Sequence, residues 1–196
     1  MPFSSNWFDK LAKANFETYV KPIYNGKSTR YLEIGSFEGA STLYMFENVL
    51  TVPDSTAIVI DPFNDFNHCR NQLDVFKQNL HSYLDRITIL QGYSQDKLPM
   101  LVPNTFDIIY IDGDHTSSAV LTDATLSFSL LKPGGIMIFD DYLWIHNGEH
   151  TNENIHNPNI HNVLNPYTGI NTFLKKNADL IEVIVTNWQV IIKKCE

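Results

Sequence analysis

Four apolar runs in this chain end in acids. Tyr31-Leu32-Glu33-Ile34 stops at Gly35, and Thr56-Ala57-Ile58-Val59-Ile60 stops at Asp61. Phe106-Asp107-Ile108-Ile109-Tyr110-Ile111 stops at Asp112, and Ile136-Met137-Ile138-Phe139 stops at Asp140-Asp141. One Asp after such a run is ordinarily a helix N-cap. All of them on one rim need a further reason, because converging like charges repel. Around the first run, Glu33-Ile34-Gly35-Ser36-Phe37-Glu38-Gly39 reads as a strand-to-helix turn. Glycine lets backbone approach a ligand, and the N–H groups that open a helix attract anions. A dinucleotide site calls for G-x-G-x-x-G with room for pyrophosphate at the second glycine. Here Phe37 fills that place and the next glycine is Gly39, so a nicotinamide dehydrogenase is disfavoured. The zwitterionic end of an amino acid fits better: backbone N–H groups for its carboxylate, Glu33 for its ammonium. Asp61 can accept both hydroxyls of a ribose. Ser94 and Gln95 follow the next run, where an adenine would lie, though either can equally cap a helix.

These residues are only useful if the fold brings them to one edge. Strands at 31–34, 56–60, 87–90, 106–111 and 136–139 alternate with helical patterns at 40–50, 67–84, 95–101 and 116–131. That alternation predicts an α/β, Rossmann-like, doubly wound sheet with right-handed crossovers. In such a sheet, ligands bind outside the carboxyl ends of the strands. Two further strands, 180–185 and 188–193, flank Thr186-Asn187 as a hairpin, so one of the seven strands must run antiparallel. Lys132-Pro133-Gly134-Gly135 reads as a sharp stop before the fifth strand. An N-terminal helix is expected over 5–19, with Phe8, Leu11, Ala12, Phe16 and Tyr19 on one face.

The remainder, 143–168, holds seven Asn, four His and two Pro and keeps no periodicity. Such a stretch is read either as a solvated loop or as a lid; an oligomer contact is a further use for it. With 196 residues, 43% of them apolar, one domain over 1–196 is expected. The net charge of −8 disfavours a non-specific nucleic-acid binder. Cys69 and Cys195 form no paired pattern, and no apolar run is long enough to span a membrane, so a cytoplasmic protein is expected.

The segments from Tyr31 to about Tyr142, taken in order, resemble the class I S-adenosylmethionine-dependent methyltransferases. Within these they resemble the metal-dependent O-methyltransferases of the catechol and macrolide-sugar types. The matching pieces are Tyr31 to Ser41, Ile60-Asp61-Pro62, Gly92 to Pro99, Ile111-Asp112-Gly113-Asp114-His115, Leu131 to Gly135 and Phe139-Asp140-Asp141-Tyr142. The resemblance implies S-adenosylmethionine as cofactor, with Glu33, Gly35, Ser36 and Ser41, together with the Phe37 and Gly39 of the same turn, against its methionine end. It implies Asp61 at the ribose, Ser94 and Gln95 at the adenine, and Asp112 at the same edge. It places a divalent cation, Mg²⁺ or Ca²⁺, at Asp112, Asp140 and Asp141, and a general base at His115, where the catechol type has lysine. Two departures stand out. Asp141 occupies a position that is commonly Asn, and Asp114 replaces an aromatic that stacks on adenine, leaving Phe63 and Tyr93 as candidates. The implied reaction is methyl transfer to a hydroxyl of a small molecule or glycan. Metal-independent N- or O-methylation and a silent cofactor-binding subunit are the rival readings.

Overall fold

The computed structural model describes residues 3–64, 71–148 and 152–196. Seven strands form one sheet in the order β3-β2-β1-β4-β5-β7-β6. They are β1 (Arg30–Ile34), β2 (Thr56–Asp61), β3 (Ile87–Gln91), β4 (Phe106–Ile111), β5 (Leu131–Phe139), β6 (Ile181–Thr186) and β7 (Val190–Lys194). The first five pair in parallel, and β7 runs antiparallel to both β5 and β6. This is the Rossmann-like arrangement expected, with the hairpin supplying the reversed strand.

Alternate strand residues serve opposite faces. Leu32, Ile34, Ile109, Ile111, Met137 and Phe139 pack beneath α6 (Ser117–Phe128) and α7 (Tyr167–Lys176), against Val120, Ala124, Ile170 and Phe173. Tyr31, Ala57, Val59, Ile108, Tyr110, Ile136 and Ile138 face the other way. They pack against Phe16 and Val20 of the N-terminal helix, Tyr44 and Met45 of α3 (Ala40–Asn48), and Phe76 of α4 (Gln72–Asn79).

Several boundaries differ from the sequence reading, each for a local reason. The N-terminal helix covers 8–24 rather than 5–19, and π-helical turns (Phe8–Ala12, Phe16–Val20) alternate in it with α1 (Lys13–Asn15) and α2 (Lys21–Tyr24). Its buried apolar residues, Ala12, Phe16, Val20 and Tyr24, recur every fourth position. An α-helix of 3.6 residues per turn would rotate that row off the sheet, and the wider i→i+5 turns bring it back. Strand β5 begins at Leu131, not Ile136. Lys132 to Gly135 form a bulge opposite Asp107, between the pairs Phe106–Leu131 and Ile108–Ile136, held by an ion pair from Lys132 to Asp107 at 2.7 Å. The helix expected over 67–84 is shorter: α4 ends at Asn79, and a turn then leads to a 3₁₀ turn at Leu84–Arg86; residues 67–70 lie outside the described ones.

Segment 143–168 is built, in its described part, from 3₁₀ turns at Asn152–His156 and Pro158–His161. Ile145 and Ile160 enter the core. Its asparagines bind backbone in place of a ladder. Asn154 Nδ2 donates to Leu143 O at 2.8 Å, Asn165 Nδ2 donates to Asn159 O at 2.7 Å, and the His146 N–H donates to Asn165 Oδ1 at 2.8 Å. Order made by side-chain–backbone bonds leaves no apolar period to read. No helix among the described residues is long and apolar enough to cross a membrane.

The backbones of β1 and β4 approach closely just past the end of β1. Gly35 has φ +81°, and a Cβ placed on it would lie 2.0 Å from the Asp112 carbonyl oxygen. Gly26 has φ +80° with nothing within 4 Å of its Cβ position. Gly26→Ala should therefore cost only about 1 kcal/mol, the strain of the left-handed backbone. Gly35→Ala adds a backbone collision and should yield no folded protein, or one that melts more than about 10 °C lower. Thermal denaturation of the pair checks this, and equal losses would mean that the β1–β4 approach is not what requires glycine.

Candidate active site

At the carboxyl end of β1, Glu33 is fully buried. One of its oxygens accepts the Ser41 hydroxyl and the other accepts the Thr42 hydroxyl at 2.6 Å, both from the first turn of α3. Burial pushes the Glu33 carboxyl up to about 7; the hydroxyls pull against this and Asp61 adds to it. Asp61 closes the turn. Its Oδ2 accepts the N–H groups of Ser36 at 2.8 Å and Phe37 at 3.0 Å, and its Oδ1 accepts that of Phe63 at 2.6 Å. Of the backbone N–H groups in this turn, those of Ser36 and Phe37 are thus taken by Asp61. Gly39 donates to Ser36 O at 2.7 Å and opens α3 with φ +87°. Trp7 from the N-terminus lies over Phe37, ring centroids 5.9 Å apart.

Past β3, Ser94 opens the short helix α5 (Ser94–Lys97) and donates to Asp123 Oδ1 of α6 at 2.5 Å. Gln95 is exposed beside it. Of the two aromatics considered for adenine, Phe63 is buried edge-on against Phe76, whereas Tyr93 is 57% exposed. Asp123 was missed by sequence reasoning. Its signal is a carboxylate on the buried face of α6, next to Ala124.

The third group stands at the ends of β4 and β5. The Tyr110 hydroxyl bonds Asp140 Oδ2 and lies 3.1 Å from Asp112 Oδ2. Asp140 Oδ1 accepts the Asp141 N–H at 2.7 Å. Asp141 has φ +55°, and its Oδ2 lies 2.6 Å from His115 Nε2. That approach is off the hydrogen-bonding direction of the ring nitrogen. Nε2 is also 3.9 Å from Asp112 Oδ1. Trp144, from the start of segment 143–168, stacks on the imidazole at 4.8 Å and 22°. One ligand atom each from Asp112, His115 and Asp141 lies within 4.8 Å of the others. Asp112 and Asp141 thus converge as expected, His115 joins them, and Asp140 is turned aside to Tyr110 and backbone.

Charge at this rim is expensive. Burial, then Asp140 and Asp141, hold the Asp112 carboxyl well above the carboxylate range. Burial, then Asp141, push Asp140 up to about 7. Burial alone would lower the His115 pKa, but Asp141, Asp140 and Asp114 outweigh it and hold the pKa above its ordinary value. The carboxylate oxygens of Asp112 and Asp141 are the kind of donor that Mg²⁺ or Ca²⁺ takes, with the imidazole beside them.

Residues 32–142 match a family model described as a methyltransferase domain. An uncharacterized protein of Acanthamoeba polyphaga mimivirus is 35% identical over 57% of this chain and 51% of its own length. An O-methyltransferase of Aspergillus hancockii is 30% identical over 59% of this chain and 44% of its own. The chain spans about half the length of the curated relatives it matches. Among solved structures, the Streptomyces achromogenes O-methyltransferase TomG in complex with SAM superposes with a TM-score of 0.67, at 16% identity, over 99% of this chain and 92% of that one. The Bacillus cereus O-methyltransferase in complex with SAH gives 0.65 at 18% identity, over 86% and 74%. At these identities the likeness is one of fold.

The raised carboxyls fix the sign of a pH dependence. Glu33, Asp123 and Asp140 have pKa values of about 7, 6 and 7, so each holds its proton more tightly folded than unfolded. His115 is shifted in the same direction. The stability they contribute is present at low pH and is lost as pH rises through these values. The melting temperature should fall by about 5 °C or more between about pH 5 and about pH 8. A melting temperature that stays level or rises over this interval would contradict the burial argument.

Proposed function

The chain belongs to the methyltransferase-domain family, and from that premise we propose that it transfers the methyl group of S-adenosylmethionine to a hydroxyl of a small molecule or glycan, assisted by a divalent cation. The observation that carries this reading is the convergence of Asp112, His115 and Asp141 on the same rim as Glu33 and Asp61. The names of the matched O-methyltransferases support it, as do the SAM and SAH in the two superposed structures.

In this reading Glu33 balances the methionine ammonium, and that partner favours its charged form. Gly35, Ser36, Phe37, Gly39 and Ser41 shape the pocket for the methionine end. Asp61 keeps one lone-pair site, on Oδ1, for a ribose hydroxyl while its three backbone contacts hold the turn. Ser94 and Gln95 meet the adenine. Asp112 and Asp141 hold the cation, Mg²⁺ or Ca²⁺. Asp140 is a positioning residue that acts through Tyr110 and the Asp141 backbone. When bound, S-adenosylmethionine supplies an electrophilic methyl group, and the cation supplies Lewis acidity that lowers the pKa of an acceptor hydroxyl.

His115 Nε2 receives the hydroxyl proton. Trp144 fixes the plane of the ring and Asp141 stabilises the imidazolium. The described part of segment 143–168 leaves the rim from Asp141 and in this reading covers the acceptor, excluding water. The 2.6 Å contact between His115 and Asp141 also favours a second reading, in which that pair alone acts as base and no metal is needed.

Release of S-adenosylhomocysteine from S-adenosylmethionine, with catechols and sugar hydroxyls as acceptors, tests the proposal. His115→Ala should lower kcat by ~10²–10⁴ and barely change cofactor affinity. Asp61→Ala should weaken S-adenosylhomocysteine binding about tenfold or more in calorimetry, the value of a charge-assisted contact. EDTA should abolish turnover and Mg²⁺ restore it. Full turnover in excess chelator would favour the metal-free pair.

A further inference from the structure

Asp140 stands opposite a residue to which the reaction gives no part. Strands β5 and β7 pair Phe139 with Val190 in antiparallel register, so the next pair along is Asp140 with Gln189. The two chains are still joined beyond that step, where the Tyr142 N–H donates to Trp188 O at 2.9 Å. Opposed residues share a face of the sheet, here the one beneath the N-terminal helix. Gln189 is fully buried there. Its side chain lies against the Asp140 carboxyl, yet its Nε2 has no acceptor at full hydrogen-bonding geometry among the described residues.

The direction of that amide is set from its other end. The Gln189 N–H donates to Asn187 Oδ1 at 3.0 Å. A backbone N–H only donates, so the Asn187 oxygen must face it. Asn15 of the N-terminal helix pairs with Asn187 both ways. Its Nδ2 donates to Asn187 Oδ1 at 2.8 Å, and its Oδ1 accepts from Asn187 Nδ2 at 3.1 Å. The second Asn15 proton goes to Gln189 Oε1 at 3.0 Å. With its oxygen so held, Gln189 has its NH₂ left to turn toward Asp140. Phe16, the next residue of the helix, sets its ring edge-on to Tyr110 at 5.2 Å. The Tyr110 hydroxyl is the other side-chain donor beside Asp140. Two consecutive helix residues thus back both side chains that flank this carboxylate.

We infer that Asn15 and Gln189 are positioning residues of the cation site: they fix Asp140 from the β7 side, and through the bond from the Asp141 N–H to Asp140 they hold Asp141 toward Asp112 and His115. This rests on the cation reading given above. Apolar side chains would fill the same space with no buried amides to satisfy. What the amides add is a fixed polarity, carried from the N-terminal helix to the rim.

Titration with Mn²⁺, read from the electron paramagnetic resonance of the free ion, tests this without turnover. Gln189→Leu keeps the volume and removes the donor. The Mn²⁺ dissociation constant should rise ~10–100-fold, as it does when the partner of a metal-ligating group is lost. Asn15→Asp should have the same effect by reversal. A carboxylate only accepts, so Gln189 must turn its NH₂ to position 15 and its oxygen to Asp140. The two losses should not add: the double variant Asn15→Asp/Gln189→Leu should bind Mn²⁺ within about twofold of Gln189→Leu alone. Affinity for S-adenosylhomocysteine, measured by calorimetry, should barely change in any of them. Should the buried variants fail to fold, Asn187→Ala removes the anchor from the half-buried turn, and the same rise is expected. Unchanged Mn²⁺ affinity, or an equal loss of affinity for both ligands, would mark the amides as merely structural and overturn the inference, with the cation reading left standing. So would losses that add in the double variant. A wild type that binds no Mn²⁺ overturns the cation reading and this inference with it.

Discussion

Glu33, Asp61, Asp112, Asp140 and Asp141 crowd one edge of the sheet, and the protein must keep them there against their mutual repulsion. It does so with unequal means. Glu33 receives two hydroxyls, Asp61 three backbone N–H groups, and Asp140 the Tyr110 hydroxyl and a backbone N–H. Donors from the chain go first to the carboxylates that hold the turns. Asp112 shares the single proton of Tyr110 with Asp140 and remains well above the carboxylate range. Asp141 has His115 at its side. The carboxylates with the fewest chain donors are therefore the two that face each other across His115, and one ligand atom from each of these three residues lies within 4.8 Å of the others.

Strand parity explains why so many acids meet. Glu33 lies on the face of Tyr31, and Asp61 on the face of Ala57 and Val59. Asp112 continues the row of Ile108 and Tyr110, and Asp140 that of Ile136 and Ile138. All of those neighbours belong to the core beneath α3 and the N-terminal helix. Parallel pairing of β2, β1, β4 and β5 then sets the four ends side by side. Gly35 permits the closest step, where β1 passes the Asp112 carbonyl. The fold and the charge cluster are consequences of one register. A slip by one residue in any of these strands would send its acid to the opposite face.

The parts legible in sequence were those written in side-chain type along the chain. Apolar runs and their terminal acids marked five strands and the rim, and Thr186-Asn187 marked the hairpin. The illegible parts depend on contacts between distant residues or on departures from a regular period. Asp123 looks like one polar residue in an apolar stripe until Ser94, 29 positions away, is beside it. The Pro133-Gly134 pair signals a stop, but opposite Asp107 and with the Lys132 ion pair it becomes a bulge inside a strand. In 143–168 the asparagines that suggested solvent are what bind the turns together. The N-terminal helix reads at ordinary helical spacing, with Leu11 and Tyr19 on its face, and the buried apolar row Ala12, Phe16, Val20 and Tyr24 appears only once the sheet is known to lie beneath it.

Asp140 and Asp141 show how backbone conformation divides labour between identical neighbours. In an extended strand, consecutive side chains alternate between faces, so Asp141 would point away from Asp112. Its left-handed φ of +55° breaks the alternation. Asp is among the residues that tolerate this region, since its short polar side chain can find local partners. The turn lets the Asp141 N–H fold back onto Asp140 Oδ1 while its carboxylate swings toward His115. One bend thus commits Asp140 to the scaffold and releases Asp141 to the site. The same bend starts segment 143–168 in the direction that lays Trp144 against the imidazole. The carboxylate beside the His115 imidazole and the aromatic stacked on that ring are in this way set by a single residue's backbone.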